Sequence, residues 1–309
     1  MITDFTERLP EARQRINDRL KETTSPELYA ITRDGKKLRG ILTCLVCDML
    51  TGDKPTAEQK TKALDLACTV EVVHSLTLAA DDIIDQDEMR RGKPSLYTLK
   101  GFSTAFLEII SGLSVPYSMV SPYGPEYVTA VSETQREMCA GVLKEILKDM
   151  PATRLYEIVI DKKTGALFAL AARFGAMAAD TPDNNIETMS KFGLHLGRAF
   201  QIKDDIDDFI EVVTGKKEPD AITGTEFLLL RGMKIDEILK EWGGDIAKCE
   251  PDFSKISQVK QLFQLYELLD TLNNRLEVEV QRGIDAIREF DDRAVLQRYL
   301  SYCVQERYY

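Results

Sequence analysis

Two stretches of this chain carry the same acidic spacing, and each closes an apolar helical pattern. Residues 71–85 read EVVHSLTLAADDIID and end in Asp81, Asp82 and Asp85. Residues 200–208 read FQIKDDIDD, with Asp204, Asp205 and Asp208 in the same register. Helix positions four apart share a face, so Asp81 and Asp85 point the same way with Asp82 beside them. Like charges at that spacing oppose the helix unless something cationic sits between them. A solvated face often carries acids, so one cluster alone would say little. Two of identical spacing, each after an apolar run, point to carboxylates that hold Mg²⁺ against a phosphate group.

The rest of the chain is compatible with helices and little else. Its periodicity is helical nearly throughout, with no convincing alternating strand, which predicts an all-α fold. Helices are expected over residues 3–22 with a break or kink at Pro10, over 37–50, and from a capping box at Thr56 and Gln59 through Asp85. Further helices are expected over 95–119, interrupted at Pro116, then 126–149, 151–179 with a kink at 163–165, and 186–210. A loop at 214–219 precedes helices near 221–241, 253–283 and 290–305. No low-complexity linker divides the chain, so residues 1–309 are expected to form a single domain.

Composition excludes several classes of function. With 44% hydrophobic residues the chain can bury a substantial core. A net charge of −11 without a basic stripe argues against nucleic acid as a partner. The N-terminus carries acids early and no apolar signal segment, and the richest apolar run, 165–179, is interrupted by Arg173. The expectation is therefore a cytoplasmic protein with no integral membrane segment. Cys44 and Cys47 form a lone C-x-x-C on an apolar helix without a second ligand pair, and read as reduced core cysteines.

Several basic and polar residues could answer the two acidic clusters. Lys36 and Arg39, in Gly35-Lys36-Lys37-Leu38-Arg39, stand three apart where a helix begins, and unsatisfied N–H groups there favour an anion. A solvated basic turn is the alternative. Arg90 and Arg91 could each fork onto a different phosphate, or pair with Asp87 and Glu88. His74, two turns before Asp81, is either a satisfied core histidine or a phosphate donor. Lys163 and Thr164 sit at a helix kink from which they could reach a cavity, while Gln201 and Lys216 flank the second acidic cluster.

The segments GKKLR, EVVH, DDIID, RRGKP, KTG, FQIKDDIDD and the pair Gly215-Lys216 with Asp220 beyond it occur in this order across residues 35–220. In this set the chain resembles the trans-isoprenyl diphosphate synthases, the polyprenyl synthetase family. The resemblance implies an all-α helical bundle around a deep central apolar cavity, the isoprenoid synthase fold, and a homodimer. It implies that Asp81, Asp82, Asp85 and Asp204, with Asp205 and Asp208, bind about three Mg²⁺ and an allylic diphosphate. Arg90, Lys163, Thr164, Gln201 and Lys216 would contact that diphosphate. Gly35, Lys36, Arg39, His74 and Arg91 would hold isopentenyl diphosphate, with Phe200 packed over it.

The implied reaction is ionisation of the allylic C–O bond, attack by the isopentenyl double bond and loss of a proton. Asp81, Asp82, Asp85, Arg90, Lys163 and Asp204 would carry it. One turn before Asp81 stand Leu76 and Thr77, neither aromatic. As a cavity floor they would permit a product of geranylgeranyl size or longer, unless Phe106, Ile110 or Phe168 closes the floor from another helix. A farnesyl-length product, a terpene cyclase-like relative and a non-catalytic subunit are the alternatives. The chain departs from the family pattern at Ala80, where a histidine is frequent, at Gly112-Leu113-Ser114-Val115, and at Thr225, where a lysine is usual.

Overall fold

The computed structural model describes residues 5–147, 149, 151–213, 216, 256–291 and 294–305. Four helices come first: α1 (Phe5–Thr23), α2 (Pro26–Thr32), α3 (Leu38–Leu50) and α4 (Ala57–Asp85). Helix α1 runs without a break through Pro10, which lies on its exposed side. A carbonyl that loses its N–H partner there can be hydrated instead. The capping box forms as its spacing requires. Thr56 Oγ1 accepts from Gln59 N at 3.2 Å, and Gln59 Oε1 accepts from Thr56 N at 3.0 Å. Helix α4 ends where Gln86 turns left-handed at φ 60°.

By length and composition alone α4 could cross a bilayer, contrary to the sequence expectation that no run would qualify. However, 67% of its apolar window is buried inside the protein, which marks it as a core helix.

The stretch after the first acidic cluster also departs from expectation. Residues Met89–Arg90 (β1) and Lys93–Pro94 (β2) pair antiparallel, with Arg90 opposite Lys93. Arg91 and Gly92 form the two-residue turn, with φ 52° and 72°. The expected helix 95–119 is three shorter ones: α5 (Leu96–Lys100), α6 (Phe102–Gly112) and α7 (Val115–Val120). The unanticipated break is at Gly101, φ 79°. The second break, at 113–114, falls just before Pro116, as expected; the proline itself sits in the first turn of α7, where its missing N–H is not needed.

Next come α8 (Pro125–Leu147), α9 (Ala152–Val159), a π-helical turn (Ile160–Gly165), α10 (Ala166–Ala178) and α11 (Asp183–Val213). The last two described helices are α12 (Ile256–Ile287) and α13 (Val295–Gln305). The helix expected near 221–241, the departure at Gly224 and Thr225, and the 214–219 loop except Lys216 lie outside the described residues.

Helix α10 is the hub. Its sequence is apolar apart from Arg173, and Leu167, Phe168, Ala171 and Phe174 are completely buried. Small residues let neighbours in. At Gly193 of α11 a Cβ would overlap the Phe168 carbonyl oxygen and stand 2.8 Å from Ala169 Cα. Thr43 of α3 donates to the Ala171 carbonyl at 2.9 Å. Around this hub α3, α4, α8 and α11 enclose one cavity.

Candidate active site

A cavity of about 1120 Å³ opens among α3, α4, α8, α10 and α11. Asp81 and Asp204, the leading residues of the two acidic clusters, both line it. So do Gly35, Lys36, Arg39, His74, Thr77, Arg90, Arg91, Lys163, Thr164, Phe200 and Gln201. Segments far apart in sequence thus converge on one space.

The two clusters are not equivalent internally. Burial raises the Asp81 carboxyl to about 6; Lys163 opposes the shift, whereas Asp85 and Glu145 add to it. Asp85 is raised for the same leading reason. Asp82 does not line the cavity. It is 3% exposed and takes both a 2.6 Å bond from Arg90 Nε and a second from Arg90 Nη2. Arg90, expected to wait for a phosphate, therefore spends its fork on a carboxylate.

In the second cluster Asp204 is exposed at the cavity, while Asp205 is 1% exposed. Asp205 accepts from Tyr156 Oη at 2.6 Å and from Gln201 Nε2 at 2.9 Å. Burial holds it well above the usual carboxylate range despite those two donors. Asp208 is half-buried and outside the lining. Lys216 is exposed and likewise outside it; its backbone N–H donates to Glu211 O at 2.8 Å.

The π-helical turn aims the next pair. Its wider winding presents Lys163 and Thr164 to the cavity before α10 begins. Thr164 Oγ1 donates to Gln201 Oε1 at 2.7 Å, so the Gln201 amide bridges Thr164 and Asp205. Lys163 Nζ lies 2.8 Å from Glu145 and 3.9 Å from Asp81. Burial works against its charge, but Asp81, Glu145 and Asp85 outweigh that and hold its pKa above the ordinary value.

A separate basic corner occupies another part of the lining. Helix α3 starts at Leu38, and Lys37 caps it in a left-handed conformation, φ 57°. The Lys37 ammonium turns inward, donating to the Thr32 carbonyl and, at 2.9 Å, to the Asp34 carbonyl. Arg39 Nη1 lies 3.2 Å from His74 Nε2, and its guanidinium sits 4.4 Å from the Phe168 ring centre. The buried Arg39 Nε has no hydrogen-bond partner. Burial, followed by Arg39 and Arg91, pushes His74 well below its usual value, so the ring is neutral near pH 7 and can accept from Arg39. Gly35 is required: its φ is +106°, and a Cβ would stand 2.6 Å from Arg91 Nη1. Arg90 and Arg91 do point apart, one to Asp82 and one to the Gly35 loop.

The two residues expected at the floor part company in the structure. Thr77 lines the cavity, its hydroxyl donating to the His74 carbonyl at 2.9 Å. Leu76 does not line it; the side chain is fully buried with its methyl groups against Gly112. One residue along a helix is 100° of rotation, which separates the two. Phe106 and Ile110 are 47% and 51% exposed and outside the lining, and Phe168 lies under Arg39. The apolar wall comes instead from α8, through Met138, Cys139, Val142, Leu143 and Ile146. Glu145 of the same helix and Arg13 of α1, which also lines the cavity, escaped the sequence reading. Neither belongs to a motif, and only the packing brings them here.

Comparison with known proteins bears on the family and the fold. The polyprenyl synthetase family model matches residues 21–265. A geranylfarnesyl diphosphate synthase of Methanosarcina mazei is 32% identical over 209 residues, covering 67% of this chain and 69% of that protein. A geranylgeranyl diphosphate synthase of the same organism is 26% identical over 334 residues, covering 100% and 98%. Among solved structures, a polyprenyl synthase from Caulobacter crescentus CB15, complexed with calcium and isoprenyl diphosphate, superposes with a TM-score of 0.76 at 22% identity, covering 99% and 98%. The geranylgeranyl pyrophosphate synthetase of Geoglobus acetivorans gives a TM-score of 0.73 at 24% identity, covering 97% and 100%. These two likenesses share the fold; the family follows from the match over residues 21–265, and by it the chain belongs to the polyprenyl synthetases.

Proposed function

We propose that this chain condenses isopentenyl diphosphate head-to-tail with an allylic diphosphate, as a trans-isoprenyl diphosphate synthase. One observation carries the reading. A single cavity is lined by Asp81 and Asp204, from both acidic clusters, and also by the separate basic corner of Lys36, Arg39, His74 and Arg91. Two anion subsites of different chemistry on one apolar space suit two diphosphate substrates.

The acidic subsite fits Mg²⁺. Its donors are hard carboxylate oxygens, and burial leaves Asp81 short of compensating charge. Among the described residues no three acidic, histidine or cysteine side chains form a ready-made cage. When bound, Mg²⁺ supplies charge stabilisation to the departing diphosphate.

The protein's own groups do the rest. Asp81, Asp85 and Asp204 would hold the cation that faces the allylic diphosphate, with Asp82, Asp205 and Asp208 in support. Lys163 adds a cation, and Thr164 and Gln201 add polar contacts; Arg90 and Lys216 reach the same diphosphate once substrate is present. Arg39, Lys36 and Arg91 hold isopentenyl diphosphate, and neutral His74 is a hydrogen-bonding partner beside it. Phe200 and the α8 wall exclude water that would quench the allylic cation. The proton is lost to the released diphosphate, and no protein nucleophile is required.

A homodimer is part of the proposal. Phe102, Phe106 and Ile110 of α6 are exposed at four-residue spacing, and the two phenylalanine rings stack 5.9 Å apart. So is a cytoplasmic setting, supported by the free thiols Cys44, Cys47, Cys68 and Cys139. A single domain over 1–309 completes it. Retention of the basic corner weighs against a cyclase, which needs no second diphosphate.

The test is incubation with Mg²⁺, isopentenyl diphosphate and dimethylallyl, geranyl or farnesyl diphosphate, with products identified by mass. Elongated diphosphates are expected, of geranylgeranyl size or longer. Hydrocarbon products, or no turnover, would sink the reading. Within that assay Thr77→Phe should shorten the product, because residue 77 faces the cavity. Leu76→Phe should leave length unchanged and cost about 1–3 kcal/mol of stability by overpacking against Gly112. The opposite pattern would mean that α4 is rotated relative to this structure.

A further inference from the structure

We propose that Glu145 is a positioning residue that holds Lys163 clear of Asp81, keeping the Asp81 carboxylate open for its cation. The inference rests on the prenyl-transfer reading of the cavity and adds a residue that no motif supplies.

Glu145 lies on α8, one turn after Gly141. A Cβ at Gly141 would meet Lys162 Cβ at 2.8 Å and Lys163 N at 3.1 Å, so glycine lets α8 press against the π-helical turn. That approach brings Glu145 Oε2 to 2.8 Å from Lys163 Nζ, while Asp81 Oδ2 remains at 3.9 Å, beyond hydrogen-bonding range. The Glu145 side chain is 12% exposed, and its other oxygen, Oε1, is buried without a hydrogen-bond partner.

Burying a carboxylate with one oxygen unsatisfied is costly and needs a reason. Lys163 supplies it. An ammonium between two carboxylates moves fully to one when the other is removed. Without Glu145, Lys163 would close on Asp81 and occupy the oxygen that a metal–diphosphate unit requires. With Glu145, the lysine keeps its charge in the site and Asp81 remains available.

The experiment uses Mn²⁺ with inorganic pyrophosphate as the probe, bound metal being counted by electron paramagnetic resonance. Elongation is assayed in parallel against Mg²⁺ concentration. Glu145→Gln, nearly isosteric, should weaken Mn²⁺ binding about tenfold and raise the Mg²⁺ needed for half-maximal turnover by a similar factor. Glu145→Asp, which keeps the charge on a shorter arm, should fall between. The decisive comparison adds Lys163→Met. The double variant should bind Mn²⁺ as Lys163→Met does alone, since no ammonium is left to block Asp81.

An unchanged Mn²⁺ affinity in Glu145→Gln would overturn the proposal. So would a defect that persists undiminished in the double variant, which would mean that Glu145 acts independently of Lys163. If the unaltered protein binds Mn²⁺ and responds as described but elongates nothing, only the prenyl-transfer reading fails. If it binds no Mn²⁺ with pyrophosphate, both fail.

Discussion

Asp81→Asn should lower kcat by on the order of a thousandfold and at the same time make the metal-free protein more stable. The activity loss follows from its place, the leading carboxylate of α4 on the cavity that also receives Asp204. The stability gain follows from burial. Burial pushes the folded Asp81 carboxyl up to about 6, above the 3.8 usual for an aspartate, so folding disfavours its charged form. Between those two values the native state holds more protons than the unfolded state. Stability therefore falls as pH rises through that window, and the penalty is complete above it. Removing the charge should recover about 1–3 kcal/mol near pH 7.5.

Thermal unfolding in a chelator from pH 4 to 7.5 should show that slope in the unaltered protein and a flatter profile in the variant. With Mg²⁺ and pyrophosphate the order should reverse, since only the unaltered protein gains from binding. A variant that is less stable in chelator, or one still stabilised by Mg²⁺ and pyrophosphate, would remove Asp81 from the metal site.

Gly193→Ala should destabilise the fold by about 3 kcal/mol or more, although alanine is the better helix former by about 1 kcal/mol. The added methyl group would overlap the Phe168 carbonyl oxygen and stand 2.8 Å from Ala169 Cα. Both are backbone atoms of α10, which is buried over most of its surface and has little room to move away. Any shift of α10 carries Phe168 from beneath Arg39, so isopentenyl diphosphate binding should weaken as well. Gly112→Ala is the control. Its methyl group meets the Leu76 side-chain end rather than backbone, and a rotamer change can absorb most of the cost. Equal melting temperatures for the two variants would show that α10 and α11 are not packed this tightly.

Local signals in the chain were read reliably. The capping box at Thr56 and Gln59 and the run of α4 to Asp85 depend on neighbours a turn or less away. The helical class is likewise a property of periodicity. The ordered motifs across 35–220 were enough to name the family. Misreadings fell where a local rule had competitors. The Arg91-Gly92 turn closed a hairpin too short to show alternation, and Gly101 broke a helix in which only the interruption at Pro116 was expected.

From the residues alone came the helices, the two carboxylate sets and the basic residues that answer them, because these are matters of spacing along one chain. Tertiary packing alone decided which side chains meet. The rotation of α4 turned Thr77 into the cavity and Leu76 into the core, and the close approach at Gly141 brought Glu145 to Lys163. Helical periodicity states that a face exists. Only the neighbouring helices, through steric fit over tens of residues, state which way it points.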